Sequence, residues 1–304
     1  MSVFSHSRLS SYETCPLQYR LRYVDELEID RRETIESFVG RRVHETLQYL
    51  HDRHTEGALL TRQELLTHLD DSWEREWHAR VLVVRADRQV SHYRELATRC
   101  VSNYYGLNHP FDRGATVGTE LAVVFVLDLD RDVHIKGYID RLVRLAPGMY
   151  EIHDYKTSRR LPTQATIDRD RQLALYQMAV HQMMADARQV RLVWHYLAHG
   201  RHLRSTRTPE SLDVLRKDTL RLIDRIERAT WRRQFPAFRS RLCDWCDYRP
   251  VCPAWMPVQA SFSFPDATRT VTRTAAYPAA APTPAAVAEE PCVVAVPSAS
   301  GPLA

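Results

Sequence analysis

The chain has 304 residues, 44% of them hydrophobic and 26% charged, with a net charge of +4 from 42 Lys+Arg against 38 Asp+Glu. These proportions suit a globular chain and exclude a fibrous, wholly disordered or disulfide-scaffold protein. No apolar run of about 18 residues occurs, so no membrane-spanning helix is expected, and Met1-Ser2-Val3-Phe4-Ser5-His6 lacks the apolar core of a secretory leader, which makes a cytoplasmic location the expectation.

The mild positive excess permits an acidic partner without demanding one. Only three of the basic residues are lysines, Lys136, Lys156 and Lys217. Against so strong a preference for arginine, the placement of Lys156 invites a chemical explanation. Six cysteines occur: Cys15, Cys100, Cys243, Cys246, Cys252 and Cys292. In a cytoplasmic chain, clustered cysteines suit metal binding better than disulfides.

In chain order, a short helix capped by Ser7 carries Leu9 and Tyr12. Pro16 suits the first turn of a second helix with Leu17, Leu21 and Val24. A helix over Ile35–His51 follows from Val39, Val43, Leu47 and Leu50, with Gly40 and His44 on an adjacent stripe. Residues 62–108 read as two or three helices rich in Arg, Trp, His and Tyr. Val117–Asp128, Val133–Leu145 and Met149–Thr157 read as an antiparallel meander joined by polar and Pro-Gly turns. A helix over Thr166–Met184, strands over Gln189–His199 and His202–Thr208, and a charged helix from Pro209 to Gln234 complete an α/β domain. Of residues 275–304, 17 of 30 are Ala or Pro, so 258–304 reads as a disordered tail in which Cys292 is incidental.

Chemistry concentrates at Gly137-Tyr138-Ile139-Asp140 and His153-Asp154-Tyr155-Lys156. Strand residues two apart share a face, so Asp154 and Lys156 project together. A hairpin through Pro147-Gly148 brings Asp140 alongside. Two carboxylates suit Mg²⁺ or Mn²⁺, and a neighbouring ammonium can orient a water and stabilise charge on a phosphate. A cross-strand ion pair is the plainer reading of the D-x-K triplet alone. His44 adds a donor that favours Mn²⁺ over Mg²⁺. Gln172 and Tyr176, one helical turn apart, share a polar face. Cys243, Cys246 and Cys252, spaced C-x₂-C-x₅-C, lack a fourth soft ligand, which Cys15 can supply. Zinc and a [4Fe–4S] cluster are both open, and the odd spacing with two Cys-Pro steps leans toward the cluster. Cys100 lies in a helical pattern and reads as core.

The ordered set Ser7…Cys15-Pro16, Gly40…His44, Gly137-x-Ile139-Asp140, Asp154-x-Lys156, Gln172…Tyr176 and Cys243…Cys246…Cys252-Pro253 resembles the RecB-like branch of the PD-(D/E)XK nuclease superfamily over about residues 4–256. It looks most like the iron–sulfur members: stand-alone RecB family exonucleases, the AddB nuclease domain and CRISPR-associated spacer-trimming nucleases.

The resemblance implies a restriction-endonuclease-like core, a mixed central sheet flanked by helices. It implies a nuclease domain over 1–257, with a helical part to about 115, a catalytic core to about 235 and a cluster segment at about 236–257 joined by Cys15. His44, Asp140, Asp154 and the backbone carbonyl of Tyr155 would hold Mg²⁺ or Mn²⁺, with Asp140, Asp154 and Lys156 as the catalytic set. Gln172 and Tyr176 would support DNA binding, and Cys15, Cys243, Cys246 and Cys252 would hold the cluster. Glu120 sits where some relatives carry an acid, its role open. Two departures stand out: Ile139 replaces the proline of the superfamily motif, and Asp154 replaces the glutamate. Both fit the branch.

The implied activity is hydrolysis of DNA by an exonuclease acting on single strands or ends in repair or recombination. The alternatives are a CRISPR-adaptation nuclease, a nuclease-like DNA-binding or helicase-accessory subunit, and a zinc-stapled scaffold. The Arg- and aromatic-rich segment 62–108 offers either a single-strand channel wall or an ordinary amphipathic bundle. No P-loop motif occurs, so unwinding would need a partner.

Overall fold

The computed structural model describes residues 1–29 and 32–255, which all fall in one compact unit. The expected tail at 258–304, with Cys292, lies outside the described residues. The chain opens with strand β1 (Ser2–Ser5), helices α1 (His6–Thr14) and α2 (Pro16–Tyr23), and a two-residue strand β2 (Glu33–Thr34). Helices α3 (Ile35–Thr55) and α4 (Arg62–Glu76), a two-residue β3 (Val81–Leu82) and α5 (Val90–Asn108) follow. The second half runs β4 (Ala115–Asp128), β5 (Val133–Ala146), β6 (Met149–Lys156), α6 (Gln164–Ile167), α7 (Gln172–Met183), β7 (Gln189–Tyr196), β8 (Arg201–Thr206) and α8 (Pro209–Arg232).

Local chemistry accounts for the element ends. Thr34 caps α3 by accepting the N–H of Ser37, and Ile35, Val39, Val43, Leu47 and Leu50 form its buried stripe. Pro16 takes the first position of α2 as expected. The cap of α1 is Ser5 rather than Ser7: Ser5 is extended and its hydroxyl accepts the N–H of Arg8 at 3.1 Å. The single helix expected over Thr166–Met184 is two. Asp170 accepts the N–H of Leu173 at 3.2 Å and restarts the helix at α7, a local bond that competes with helix continuation. The strand expected to reach His199 ends at Tyr196 and passes into a 3-10 turn over Leu197–His199.

β4, β5 and β6 form the expected antiparallel meander. β6 pairs with β7 in parallel, which requires the α6–α7 crossover, and β8 returns antiparallel on β7. One edge of β5 pairs with β4. Its other edge serves two strands: β1, parallel, over Val133–Lys136, and β6, antiparallel, over Arg141–Ala146. Between them, residues 137–140 have no strand partner on that edge among the described residues. β1 was not foreseen, because four residues of mixed polarity carry no strand period.

Helices cover both faces of this mixed sheet. One core joins the sheet to α7, α8, α1 and α2, through Leu9, Tyr19, Ile135, Ile152, Leu173 and Ile223 among others. The second joins α3, α4 and α5 and takes in Tyr155 and Leu197 from the sheet side. Leu9 and Tyr19 thus belong to the sheet core, although they fall within the helical part of the sequence. No helix among the described residues is long and apolar enough to cross a membrane. Ile152, fully buried at the centre of β6, makes a clear test of the core: Ile152→Ala should lower unfolding free energy by about 2–5 kcal/mol, read by chemical denaturation of the whole chain.

Candidate active site

The β5–β6 ladder begins at Ala146↔Met149 and ends at Arg141↔His153. Past that pair the strands part, and both peptide groups of Tyr155 lose their ladder partners. A buried peptide group must be bonded somewhere. The Tyr155 N–H donates to Asp140 Oδ2 at 2.7 Å, and its carbonyl accepts from His44 Nε2 at 2.8 Å. The Tyr155 ring points into the helical core, where its hydroxyl lies 3.2 Å from that of Tyr104, itself 2.7 Å from His51 Nε2.

With Nε2–H committed to a carbonyl, the other nitrogen of His44 faces the site. His44 Nδ1 lies 3.6 Å from Glu120 Oε1 and 3.6 Å from Asp140 Oδ2. The three ligand atoms all fall within 4.8 Å of one another. Glu120 stands opposite Asp140 on β4, between the pairs Thr119↔Arg141 and Leu121↔Ile139. Its φ is +42°, and it is the one non-glycine strand residue among the described residues with a positive φ. Such a conformation costs on the order of 1–3 kcal/mol and is found where surrounding structure imposes it.

The three acids Glu120, Asp140 and Asp154 crowd one another's charge. Burial and the nearby Asp154 charge push the Asp140 carboxyl up to about 7. Burial pulls the His44 imidazole down, but the adjacent Glu120 carboxylate and the charges of Asp140 and Asp154 outweigh it and raise its proton affinity. The carboxylates thus draw a proton onto the imidazole. An imidazole nitrogen and two carboxylate oxygens in such a field are the donor set of a hard or borderline divalent cation.

Asp154 and Lys156 project from the other face of β6. Lys156 Nζ lies 2.9 and 3.0 Å from the two Asp154 oxygens and 3.1 Å from Gln172 Oε1. Burial disfavours this ammonium, but Asp154 more than compensates and keeps it charged. Asp154, expected as a metal ligand, is thus engaged by Lys156, and the Tyr155 carbonyl by His44. Tyr176 lies against Gly137: a Cβ there would come within 2.4 Å of the Tyr176 ring, so glycine admits the helix side chain. At Gly40 an added Cβ would make only ordinary contact with Thr157.

Two residues near Lys156 carry no sequence signal. His6, at the start of α1, lies close to Lys156 and Arg171; burial and those charges drop its imidazole to about 4, which keeps it neutral. Asp170, beside Asp154 and Lys156, has its carboxyl raised by burial. Neither carries a motif. Glu120, whose role the sequence left open, meets Asp140 only because the β4–β5 register shifts between Val126 and Asp128; counted straight from the turn it would face Arg141.

The 62–108 segment builds core: Trp73, Tyr93 and Tyr104 are buried, while Arg75 and Arg94 pair with Glu45, Asp70 and Glu74. Trp77 in the same segment is exposed. Cys100 is buried in α5. Cys15, Cys243, Cys246 and Cys252 line one cavity of about 210 Å³, and each is half-buried and unbridged. The Ser240 N–H donates to Cys243 Sγ at 3.4 Å and lowers its thiol, whereas burial raises that of Cys246.

The sheet thus opens at one end and seats acid side chains beside a lysine. The chain matches the PD-(D/E)XK nuclease superfamily over residues 3–253 and belongs to it, with nucleic acid as the implied substrate and a restriction-endonuclease-like fold. Among solved structures it is similar to a candidate exonuclease from Eubacterium rectale (14% identity, 81% of this chain and 88% of that one, TM-score 0.45). It is also similar to SSO0001 (16% identity, 83% and 96%, TM-score 0.33). No curated protein matches the chain.

The raised Asp140 carboxyl has a measurable consequence. Below about pH 7 it carries a proton that a cation must displace. Mn²⁺ affinity, followed by calorimetry, should therefore climb as pH rises from 6 to 8, and Glu120→Gln should weaken it throughout.

Proposed function

We propose that the chain is a metal-dependent deoxyribonuclease of the RecB-like, iron–sulfur branch, acting as an exonuclease on single strands or DNA ends. The observation that carries this reading is the convergence of His44, Glu120 and Asp140 beside the Asp154–Lys156 pair. His44, Asp140 and Glu120 would hold Mg²⁺ or Mn²⁺, with Asp154 adjoining them through its charge on Asp140. When bound, the ion supplies Lewis acidity and lowers the pKa of a water.

The residues divide the remaining work. Lys156, fixed by Asp154 and Gln172, presents a permanent cation that orients the attacking water and offsets charge gathering on the phosphate. Tyr155 sets the geometry through its backbone, because Asp140 and His44 are both bonded to its peptide groups. Gln172 and Tyr176 brace Lys156 and the Gly137 backbone from α7. His6, near Lys156 and Arg171, is held neutral and adds no charge.

Cys15, Cys243, Cys246 and Cys252 supply four thiolates around one cavity, a donor set suited to a [4Fe–4S] cluster. Such a cluster would staple α2 to the C-terminal turns, which already meet through the Leu17 N–H bonded to the Pro236 carbonyl at 3.3 Å.

Two experiments test the reading. On end-labelled DNA with Mg²⁺ or Mn²⁺, Lys156→Ala and Asp154→Ala should lose cleavage and keep DNA binding, and EDTA should stop the wild type. Cleavage by Lys156→Ala at the wild-type rate would remove the central claim. Anaerobically purified protein should be brown and contain iron, and both Cys15→Ala and Cys246→Ala should lose colour and iron together. A colourless protein with one zinc ion per chain would establish the zinc alternative instead.

A further inference from the structure

The β4–β5 hairpin has one covered face and one open face. Val123, Phe125, Ile135 and Ile139 are buried in the sheet core, while Ala122, Val124, Lys136 and Tyr138 alternate with them and are exposed. The register sets Tyr138 opposite Ala122 and Lys136 opposite Val124. Tyr138 is 62% exposed and Val124 61%, a large fraction for apolar groups on a sheet. The alternation continues to Asp140 on β5 and Glu120 on β4. The open strip therefore leads directly away from the acid cluster. Along β5 it reads carboxylate, aromatic ring, ammonium at steps of about 6.6 Å.

No contact among the described residues explains Tyr138 and Lys136. Among the described residues the Tyr138 hydroxyl has no hydrogen-bond partner, its ring stacks on no other, and Lys136 makes no ion pair. In 62–108, by contrast, Trp73, Tyr93 and Tyr104 are buried and Arg75 and Arg94 are paired. An exposed flat ring for stacking a base and a nearby cation for a phosphate are the two components of a single-strand track.

We propose that this strip guides the substrate strand, with an unpaired base stacked on Tyr138 and the next phosphate held by Lys136. The inference rests on the nuclease reading of the adjoining site. A duplex keeps its bases stacked on one another, so the ring contact selects single strands or frayed ends.

The test is equilibrium binding of a fluorescent oligo-dT and of a blunt duplex in EDTA, across a salt series. It compares the full-length wild type with Tyr138→Ala, Tyr138→Phe and Lys136→Ala. Tyr138→Ala should weaken oligo-dT binding about five- to a hundred-fold, Tyr138→Phe should restore most of it, and the duplex should be nearly unaffected. Lys136→Ala should reduce the slope of log affinity against log salt by about 0.7. Both side chains are exposed, so thermal unfolding of the variants should match the wild type. Oligo-dT binding unchanged in Tyr138→Ala, or an equal loss on the duplex, would overturn the proposal. Because binding is read without metal, that result leaves the nuclease reading standing, and persistent cleavage by Lys156→Ala would sink that reading without touching the strip.

Discussion

The arrangement of the site depends on one peptide unit that the sheet releases. Where β6 parts from β5, the N–H and C=O of Tyr155 need new partners, and Asp140 and His44 provide them. The cost of leaving either group unpaired in a buried place, on the order of 1–3 kcal/mol, ties a carboxylate from β5 and an imidazole from α3 to the same backbone. The Tyr155 side chain locks the unit from behind, through Tyr104 and His51 in the helical core. A shift of α3 against the sheet would thus move the His44 imidazole and the Asp140 carboxylate together.

Charge balance follows from that geometry. Glu120, Asp140 and Asp154 crowd into one region, and burial weakens the screening that would let them coexist. The molecule answers with Lys156 on one side and a proton on His44 on the other. A divalent cation would do the same work at the Nδ1 side more effectively. The strained backbone at Glu120 fits this picture, because a carboxylate held against its neighbours needs a scaffold stiff enough to keep it there.

The site also marks the meeting of two cores. Asp154 and Lys156 belong to the face packed on α7, and Tyr155 to the face packed on α3 and α5. Strand alternation makes consecutive residues of β6 serve opposite cores. The helical segment before β4 therefore does more than decorate the sheet. It carries His44 in and anchors the ring of Tyr155.

Much of this was legible in the residues. Hydrophobic period placed α3, the meander and α8 nearly to their ends, and strand alternation paired Asp154 with Lys156. Turn chemistry at Pro147-Gly148 brought Asp140 to the end of β6. These are local rules, acting over a few residues. Other features depend on distant partners and left no local trace. β1 exists because β5 has a free edge, His6 nears Lys156 because α1 packs on the sheet and α8, and Trp73, Tyr93 and Tyr104 turn inward against α3. The local rules specified which residues could do chemistry. Only the tertiary structure decided that Glu120 joins His44 and Asp140 while Asp154 turns to Lys156, because that choice depends on where the strands part, and no single segment encodes it.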